Sequence, residues 1–224
     1  MATPDECLVK ADHVIIWLDE HMAVPGNNES TKQTLEDNAN VNLFVRSPSA
    51  ELLDQVIQDS GTGMDIDTRN RLIKDPLHMF ANEHDCIKFI NECFANKQQP
   101  FLITSGRKGP SIVPRVHQQL SGKIYVFCGD REYHKKWTDL YEKDIQVYDD
   151  DRGVFVSILC DIAAYYITKG QDDTCNLPDA NQYFEWSIKL YKGATKIDGV
   201  NRDAFIEAVN IEVQEKYDKV APME

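Results

Sequence analysis

Short apolar runs alternate with helix-like patterns along the first two thirds of the chain. Runs with the length and the β-branched or aromatic content of buried strands lie at 13–18, 41–46, 77–81, 100–104, 124–128 and 144–148. Apolar residues at helical spacing predict helices at about 30–38, 51–58, 83–96, 111–120 and 131–142, with Ser30 or Thr31 capping the first and Pro114 confined to the first turn of the fourth. Such alternation favours a parallel sheet covered on both faces, because each parallel connection must cross over the sheet.

The pattern changes after residue 150, where the strand-like runs end and three helices are predicted at 154–168, 180–194 and 202–220. We therefore predict an α/β domain over 1–150, with a receiver-like or flavodoxin-like parallel sheet of about five strands. A C-terminal helical appendage follows over 151–224. The polar stretch 59–75 is predicted to be the most mobile loop of the first domain.

Charge and cysteine usage narrow the classes of partner and compartment. The chain has 224 residues, with 24 Lys and Arg against 37 Asp and Glu, and a formal net charge of −13. Binding to nucleic acid or to an anionic membrane needs a basic surface, so the charge argues against both. Three features predict a cytoplasmic protein. The six cysteines include no CxxC pair, the first segment lacks a signal-peptide pattern, and the apolar runs are only about five residues long.

Asp19 and Glu20 follow the first predicted strand and are the most suggestive local feature. In a doubly wound parallel sheet, ligands bind at the carboxyl ends of the strands, where paired carboxylates can hold Mg²⁺. Asp19 and Glu20 are therefore the candidate metal ligands, and Mg²⁺ is the candidate cofactor. The favoured alternative is that both are ordinary solvated charges at the rim of the sheet and that the protein has no cofactor.

Thr104, Ser105, Gly106 and Arg107 begin a turn that leads through Pro110 from a predicted strand into a helix. Backbone N–H groups and cations at a helix N-terminus can cradle an anion, so these four residues are candidate ligand-binding residues. The GxxxxGK[ST] pattern of a P-loop is absent, and a plain tight turn is the favoured alternative.

Cys128 and Gly129 follow the next strand and complete the candidate ligand-binding set. Cys128 and His134 could act as a nucleophile and its base. A cysteine that closes an apolar strand is more often a core residue, however, and an acidic chain offers little to lower its pKa. No residue is assigned a catalytic role. Further along, Tyr133, Trp137, Leu140 and Tyr141 share one face of the helix predicted over 131–142.

Four segments together resemble an uncharacterised receiver-like domain: IIWLDEH (15–21), FLITSGRKGPSIVP (101–114), IYVFCGD (124–130) and the stretch from YHKKW to IQVYDDD (133–151). The resemblance continues through the helical segment 161–191. That domain occurs alone or in front of arginine-specific mono-ADP-ribosyltransferase domains or tetratricopeptide arrays in invertebrate proteins. The resemblance implies a fold and no established activity, and the Glu-x-Glu that the transferase requires is absent from this sequence.

The helices over 155–170 and 180–194 also resemble a single tetratricopeptide hairpin. One such repeat cannot bury its own apolar face, so we expect the hairpin to dock on the sheet or on a second copy of the chain.

Together these features favour a non-enzymatic, cytoplasmic signalling or adaptor domain that acts through contacts with another protein or with a second copy of itself. The alternative is an enzyme that binds a nucleotide or NAD-type ligand at the carboxyl ends of the strands. An acidic rim repels phosphate unless Mg²⁺ or the cations of the Arg107-Lys108 turn compensate, which favours a basic protein partner over a nucleotide.

Overall fold

The computed structural model describes residues 9–41, 76–120 and 123–220. The strands are β1 His13–Leu18, β2 Leu77–Phe80, β3 Gln99–Ser105, β4 Ile124–Phe127 and β5 Ile145–Tyr148. The helices are α1 Glu29–Ala39, α2 Glu83–Ala95, α3 Gly109–Leu120, α4 Arg131–Thr138, α5 Asp151–Gln171, α6 Leu177–Asp198 and α7 Asp203–Val220, with a 3₁₀ turn at Asp139–Asp144. The predicted helix over 51–58, the predicted loop over 59–75 and all but the first residue of the predicted strand over 41–46 lie outside the described residues.

The five strands form one parallel sheet in the order β2-β1-β3-β4-β5. β1 is an interior strand, with Ile15 beside Leu77 of β2 on one side and beside Phe101 of β3 on the other. This order reverses direction between β1 and β3, so the sheet is doubly wound, and the α/β, flavodoxin-like fold class is confirmed.

The two faces of the sheet bury separate sets of side chains, because successive residues of a strand point to opposite faces. Val14, Ile16 and Leu18 of β1 pack in a core with α2 and α3. Ile15 and Trp17 pack in a second core that includes residues of α1, α5 and α6. All six residues of β1 are buried, as expected for a central strand covered on both faces.

The C-terminal helices share that second core. Ile158, Ile162 and Tyr166 of α5 are fully buried, and the Tyr166 ring lies edge-on to Trp186 of α6 with 5.0 Å between ring centroids. The expectation that the helical segment docks on the sheet is therefore confirmed. Among the described helices, α5 is the one long and apolar enough to cross a membrane by length and composition, and its apolar residues are those that pack in this core.

Two local predictions about helix starts are wrong. Neither Ser30 nor Thr31 caps α1, which starts after Asn28 in the left-handed conformation (φ 52°) and without a side-chain cap. α3 starts at Gly109, so Pro114 is its sixth residue and lies beyond the first turn. A proline there removes the bond that its missing N–H would have made to the carbonyl of Pro110, and its ring crowds that carbonyl.

Candidate functional site

The parallel register brings the candidate residues to one edge of the sheet. Leu18 lies beside Thr104 and Ser105 lies beside Phe127, so the segments that follow β1, β3 and β4 leave the sheet side by side. Asp19, Glu20, Ser105 and Arg107 line a small recess of about 160 Å³ together with His21 and Lys108. The other four candidates, Thr104, Gly106, Cys128 and Gly129, do not line this recess.

Glu20 is the centre of a three-residue ion cluster. Its Oε1 lies 2.6 Å from Nζ of Lys108, and its Oε2 lies 3.6 Å from the Arg107 guanidinium. The hydrogen bond and the positive charge of Lys108 hold the pKa of the Glu20 carboxyl below its usual range. Two cations of the β3–α3 turn thus pair with a carboxylate of the same chain. They offset part of the negative charge that the sequence predicts at this rim.

Asp19 has a structural role in the loop after β1. Its Oδ1 accepts hydrogen bonds from the backbone N–H groups of His21 (2.7 Å) and Met22 (3.1 Å), which fixes the turn. The strands on either side of β1 end at Phe80 and Ser105, which bring no carboxylate beside Asp19.

The recess therefore does not fit the magnesium site that the sequence suggests. One of its two carboxylates holds a loop and the other holds a lysine, and within 9–41, 76–120 and 123–220 no group of three or more His, Cys, Asp or Glu side chains is placed to hold a metal ion. Mg²⁺ prefers several oxygen ligands, and these two are already engaged.

Four backbone donors of the turn after β3 bind carbonyls of the chain. The N–H of Gly106 donates to the Phe127 carbonyl, that of Lys108 donates to the Ser105 carbonyl, and those of Ser111 and Ile112 donate to the Lys108 carbonyl. Thr104 is fully buried. Since donors that already bind carbonyls are not available to an anion, the geometry matches a tight turn better than an anion cradle.

Cys128 and His134 both lie close to Gly106, in surroundings that do not favour a nucleophile and its base. Burial raises the pKa of the Cys128 thiol, which disfavours the reactive thiolate. Nδ1 of His134 accepts a hydrogen bond from the Trp137 indole (3.1 Å), so the proton of the neutral ring is on Nε2, the nitrogen that faces Gly106. No basic nitrogen of a neutral His134 is therefore left to take the thiol proton.

The sequence missed the larger feature at this edge, a groove of about 580 Å³ beside the recess. It lies between the β3–α3 turn and α4, and Gly106, Arg107, Pro110, Tyr133, His134, Lys136 and Trp137 line it. The helical spacing does place Tyr133, Trp137, Leu140 and Tyr141 on one face. That spacing alone could not show that Tyr133 and Leu140 are left 60% and 78% exposed.

Gly106 is required by close packing, and its replacement by alanine should destabilise the protein. A Cβ there would lie 2.4 Å from Nε2 of His134 and 2.7 Å from Cβ of Cys128, and the second of these atoms is fixed to the backbone. We expect Gly106→Ala to lower the free energy of unfolding, measured by urea denaturation, by about 1–3 kcal/mol.

Gly129→Ala is the matched control, because no described atom lies within 4 Å of the Cβ it would add. Its unfolding free energy should stay within about 0.5 kcal/mol of the parent protein. Equal losses in the two variants would contradict the close contact at Gly106.

Comparisons with known proteins return no match: no family model, no curated protein and no solved structure is similar to this chain. The receiver-like resemblance therefore rests on the sequence segments that suggest it, and this chain is assigned to no family.

Proposed function

We propose that this protein is a non-enzymatic signalling or adaptor domain that acts through protein–protein contacts. The observation that carries the proposal is that the chemical groups at the carboxyl ends of the strands are engaged with one another. Glu20 binds Lys108, Asp19 holds its own loop, and the buried Cys128 thiol has a raised pKa. A catalytic site needs groups that are free to move a proton or attack a substrate, and these are not.

The surface of the same edge supports binding. Tyr133 and Leu140 are large and exposed, and Tyr133 lines the groove together with Trp137. Aromatic side chains such as these two rings dominate the energetics of protein interfaces. A cytoplasmic location remains an expectation from the sequence, as does self-association.

A nucleotide or NAD-type ligand is the second candidate, and one observation favours it. The groove that contains Tyr133 and Trp137 also contains Arg107, so aromatic rings and a cation lie together at the carboxyl ends of β3 and β4. A base can stack on an aromatic ring while a guanidinium binds phosphate.

Thermal unfolding in the presence of ligands separates the two candidates. NAD, ADP-ribose and ATP, each with and without Mg²⁺, should leave the melting temperature of the full chain unchanged. A ligand at a hundred times its Kd would add about 2.7 kcal/mol and raise the melting temperature by several degrees.

A shift that is lost in Arg107→Ala or Tyr133→Ala, at two residues that line the groove, would contradict the adaptor proposal and favour the enzyme, provided that both variants fold as the parent does. A purified partner, or the chain itself at micromolar concentration, should instead form a complex of defined stoichiometry in sedimentation velocity. Such a complex without any nucleotide shift supports the proposal.

A further inference from the structure

The groove beside α4 differs in charge from the rest of this acidic protein. Asp and Glu supply 37 of the 224 residues. None of them is among the residues that line this groove, whereas Arg107 and Lys136 both are. By contrast, carboxylates line the recess at Asp19, the groove between α1 and the start of α5, and the groove between α1 and α6. The residues that line the groove beside α4 therefore include two cations and no carboxylate, on a chain of net charge −13.

The cations of the groove remain accessible to a partner. The Arg107 side chain is 77% exposed, and its contact with Glu20 is 3.6 Å long, so it is weakly held. Nζ of Lys136 lies 5.6 Å from the centre of the Tyr133 ring. A carboxylate that approaches Tyr133 would thus meet an ammonium group beside the ring and a guanidinium across the groove.

The rings in the apolar part of the groove contact their neighbours. The Trp137 indole donates to His134, lies edge-on to the Tyr141 ring at 6.4 Å, and reaches Gly109 so closely that a Cβ there would lie 2.6 Å from the indole. Tyr133 packs edge-on against His134 at 5.0 Å. Because these contacts restrict the rings before a ligand binds, the side chains lose less conformational entropy on binding.

The apolar surface also extends beyond the groove. Tyr133, Trp137 and Leu140 follow one another at intervals of four and three residues, so they line one side of α4 and its 3₁₀ extension. Leu140 is the most exposed large apolar side chain of the described residues, at 78%. A single bound base would cover one ring, whereas a peptide segment can cover all three side chains.

We propose that this groove binds an acidic peptide segment of another protein, with one aromatic or large aliphatic side chain inserted between Pro110, Tyr133 and Trp137. Carboxylates of the segment pair with Arg107 and Lys136. The proposal rests on the proposed adaptor function and specifies its surface and the chemistry of its partner. That partner chemistry differs from the basic one that the net charge favours, because the local charge of the groove is opposite to that of the whole chain.

A phosphate-bearing ligand is less well matched. Anion cradles at helix N-termini use backbone N–H groups, and in the β3–α3 turn those of Gly106, Lys108, Ser111 and Ile112 bind carbonyls of the chain. The side chains of Arg107 and Lys136 remain, and side-chain cations of this kind suffice for peptide carboxylates.

The test is selection of peptides from a random phage-displayed library, about 12 residues long, on the immobilised full chain. Enriched peptides should contain more Asp and Glu than the starting library, together with one aromatic or large aliphatic residue. In fluorescence anisotropy, binding of the enriched peptides should weaken roughly tenfold in Lys136→Glu and in Tyr133→Ala, and it should weaken as salt rises.

Two matched variants control for global effects. Lys192→Glu makes the same change in net charge on α6, and Tyr217→Ala removes a partly exposed tyrosine of α7. Both should bind the enriched peptides as the parent does, and thermal melts should confirm that all four variants fold.

Each other outcome overturns the inference in a recognisable way. Enrichment of basic or neutral peptides, or no enrichment at all, excludes an acidic segment as the occupant. Acidic peptides that bind Lys136→Glu and the parent equally place the binding surface elsewhere and leave the adaptor function intact. A nucleotide that shifts the melting temperature and loses that effect in Lys136→Glu makes the groove a small-ligand site, and the adaptor function then fails as well.

Discussion

Acidification from pH 6.5 to pH 4 is expected to cost the protein about 3 kcal/mol of folding free energy through His13 alone. His13 begins the central strand and is 4% exposed. Burial is the main cause that lowers its pKa from 6.5 to about 4, opposed by its bond to the Ala39 carbonyl and by the charge of Asp12. The folded state therefore holds His13 neutral over a range in which the unfolded state protonates it.

The hydrogen bonds of His13 explain why the neutral form fits. Nε2 lies 3.0 Å from the Ala39 carbonyl, which can only accept, so Nε2 carries the proton. Nδ1 lies 2.7 Å from the Tyr166 hydroxyl and accepts from it. A second proton on Nδ1 would require the Tyr166 oxygen to accept instead of donate, although that oxygen already accepts from the backbone N–H groups of Asp12 and His13.

The direction of the pH effect follows from this depressed pKa. Stability from His13 is complete above pH 6.5, declines as the pH falls below that value because the unfolded state takes up protons, and levels off below about pH 4, where the folded state takes up a proton too. Urea denaturation at a series of pH values should show a steeper loss for the parent than for His13→Gln, whose side chain does not titrate.

His84→Gln controls for the histidine change itself, because His84 is exposed on α2 and its replacement should change the free energy of unfolding by no more than about 0.5 kcal/mol. If His13→Gln loses stability with acid as steeply as the parent does, carboxylates alone explain acid unfolding and the account of His13 is wrong.

Periodicity predicted the sheet and the helices against it because their apolar residues are buried on one face or both. The strand predicted over 13–18 is observed over the same residues, and the helix predicted over 83–96 is observed over 83–95. Both are elements in which apolar spacing and burial coincide. α3 starts two residues before the predicted Ser111, and the contact of its first residue, Gly109, with Trp137 of α4 lies beyond the reach of a local pattern.

The candidate site was harder to predict because polar residues at strand ends look alike whether they bind a ligand or a backbone. Asp130 and Asp150 follow β4 and β5 much as Asp19 follows β1. Each accepts a backbone N–H, from Tyr133 and Gly153 respectively, and caps the next helix. The sequence shows the residue type, and only the positions of the nearby N–H groups and cations show that its charge is already used.

Replacement of Trp17 by alanine is expected to have the largest effect on stability, a loss of about 3–5 kcal/mol. Trp17 lies in the central strand between Met79 and Ile103 and is 1% exposed. Its ring meets Phe127 at 6.2 Å and Phe155 at 5.9 Å, both edge-on, so it joins the sheet to α5. Truncation leaves a cavity at the point where the C-terminal helices rest on the sheet, and urea denaturation measures the cost.

Trp17→Phe distinguishes packing from hydrogen bonding at this position. The Nε1 atom of Trp17 is buried, and no described group accepts its proton. Desolvation of this N–H without a hydrogen bond lowers the stability of the folded state, and phenylalanine removes that penalty. The variant should therefore lose less than about 1.5 kcal/mol, although its ring is smaller.

Ile211→Ala, at a side chain that is 55% exposed on α7, should change stability by no more than about 0.5 kcal/mol. If Trp17→Phe were as damaging as Trp17→Ala, the indole N–H would have a partner that this structure does not show, and the docking of α5 would depend on that bond rather than on the volume of the ring.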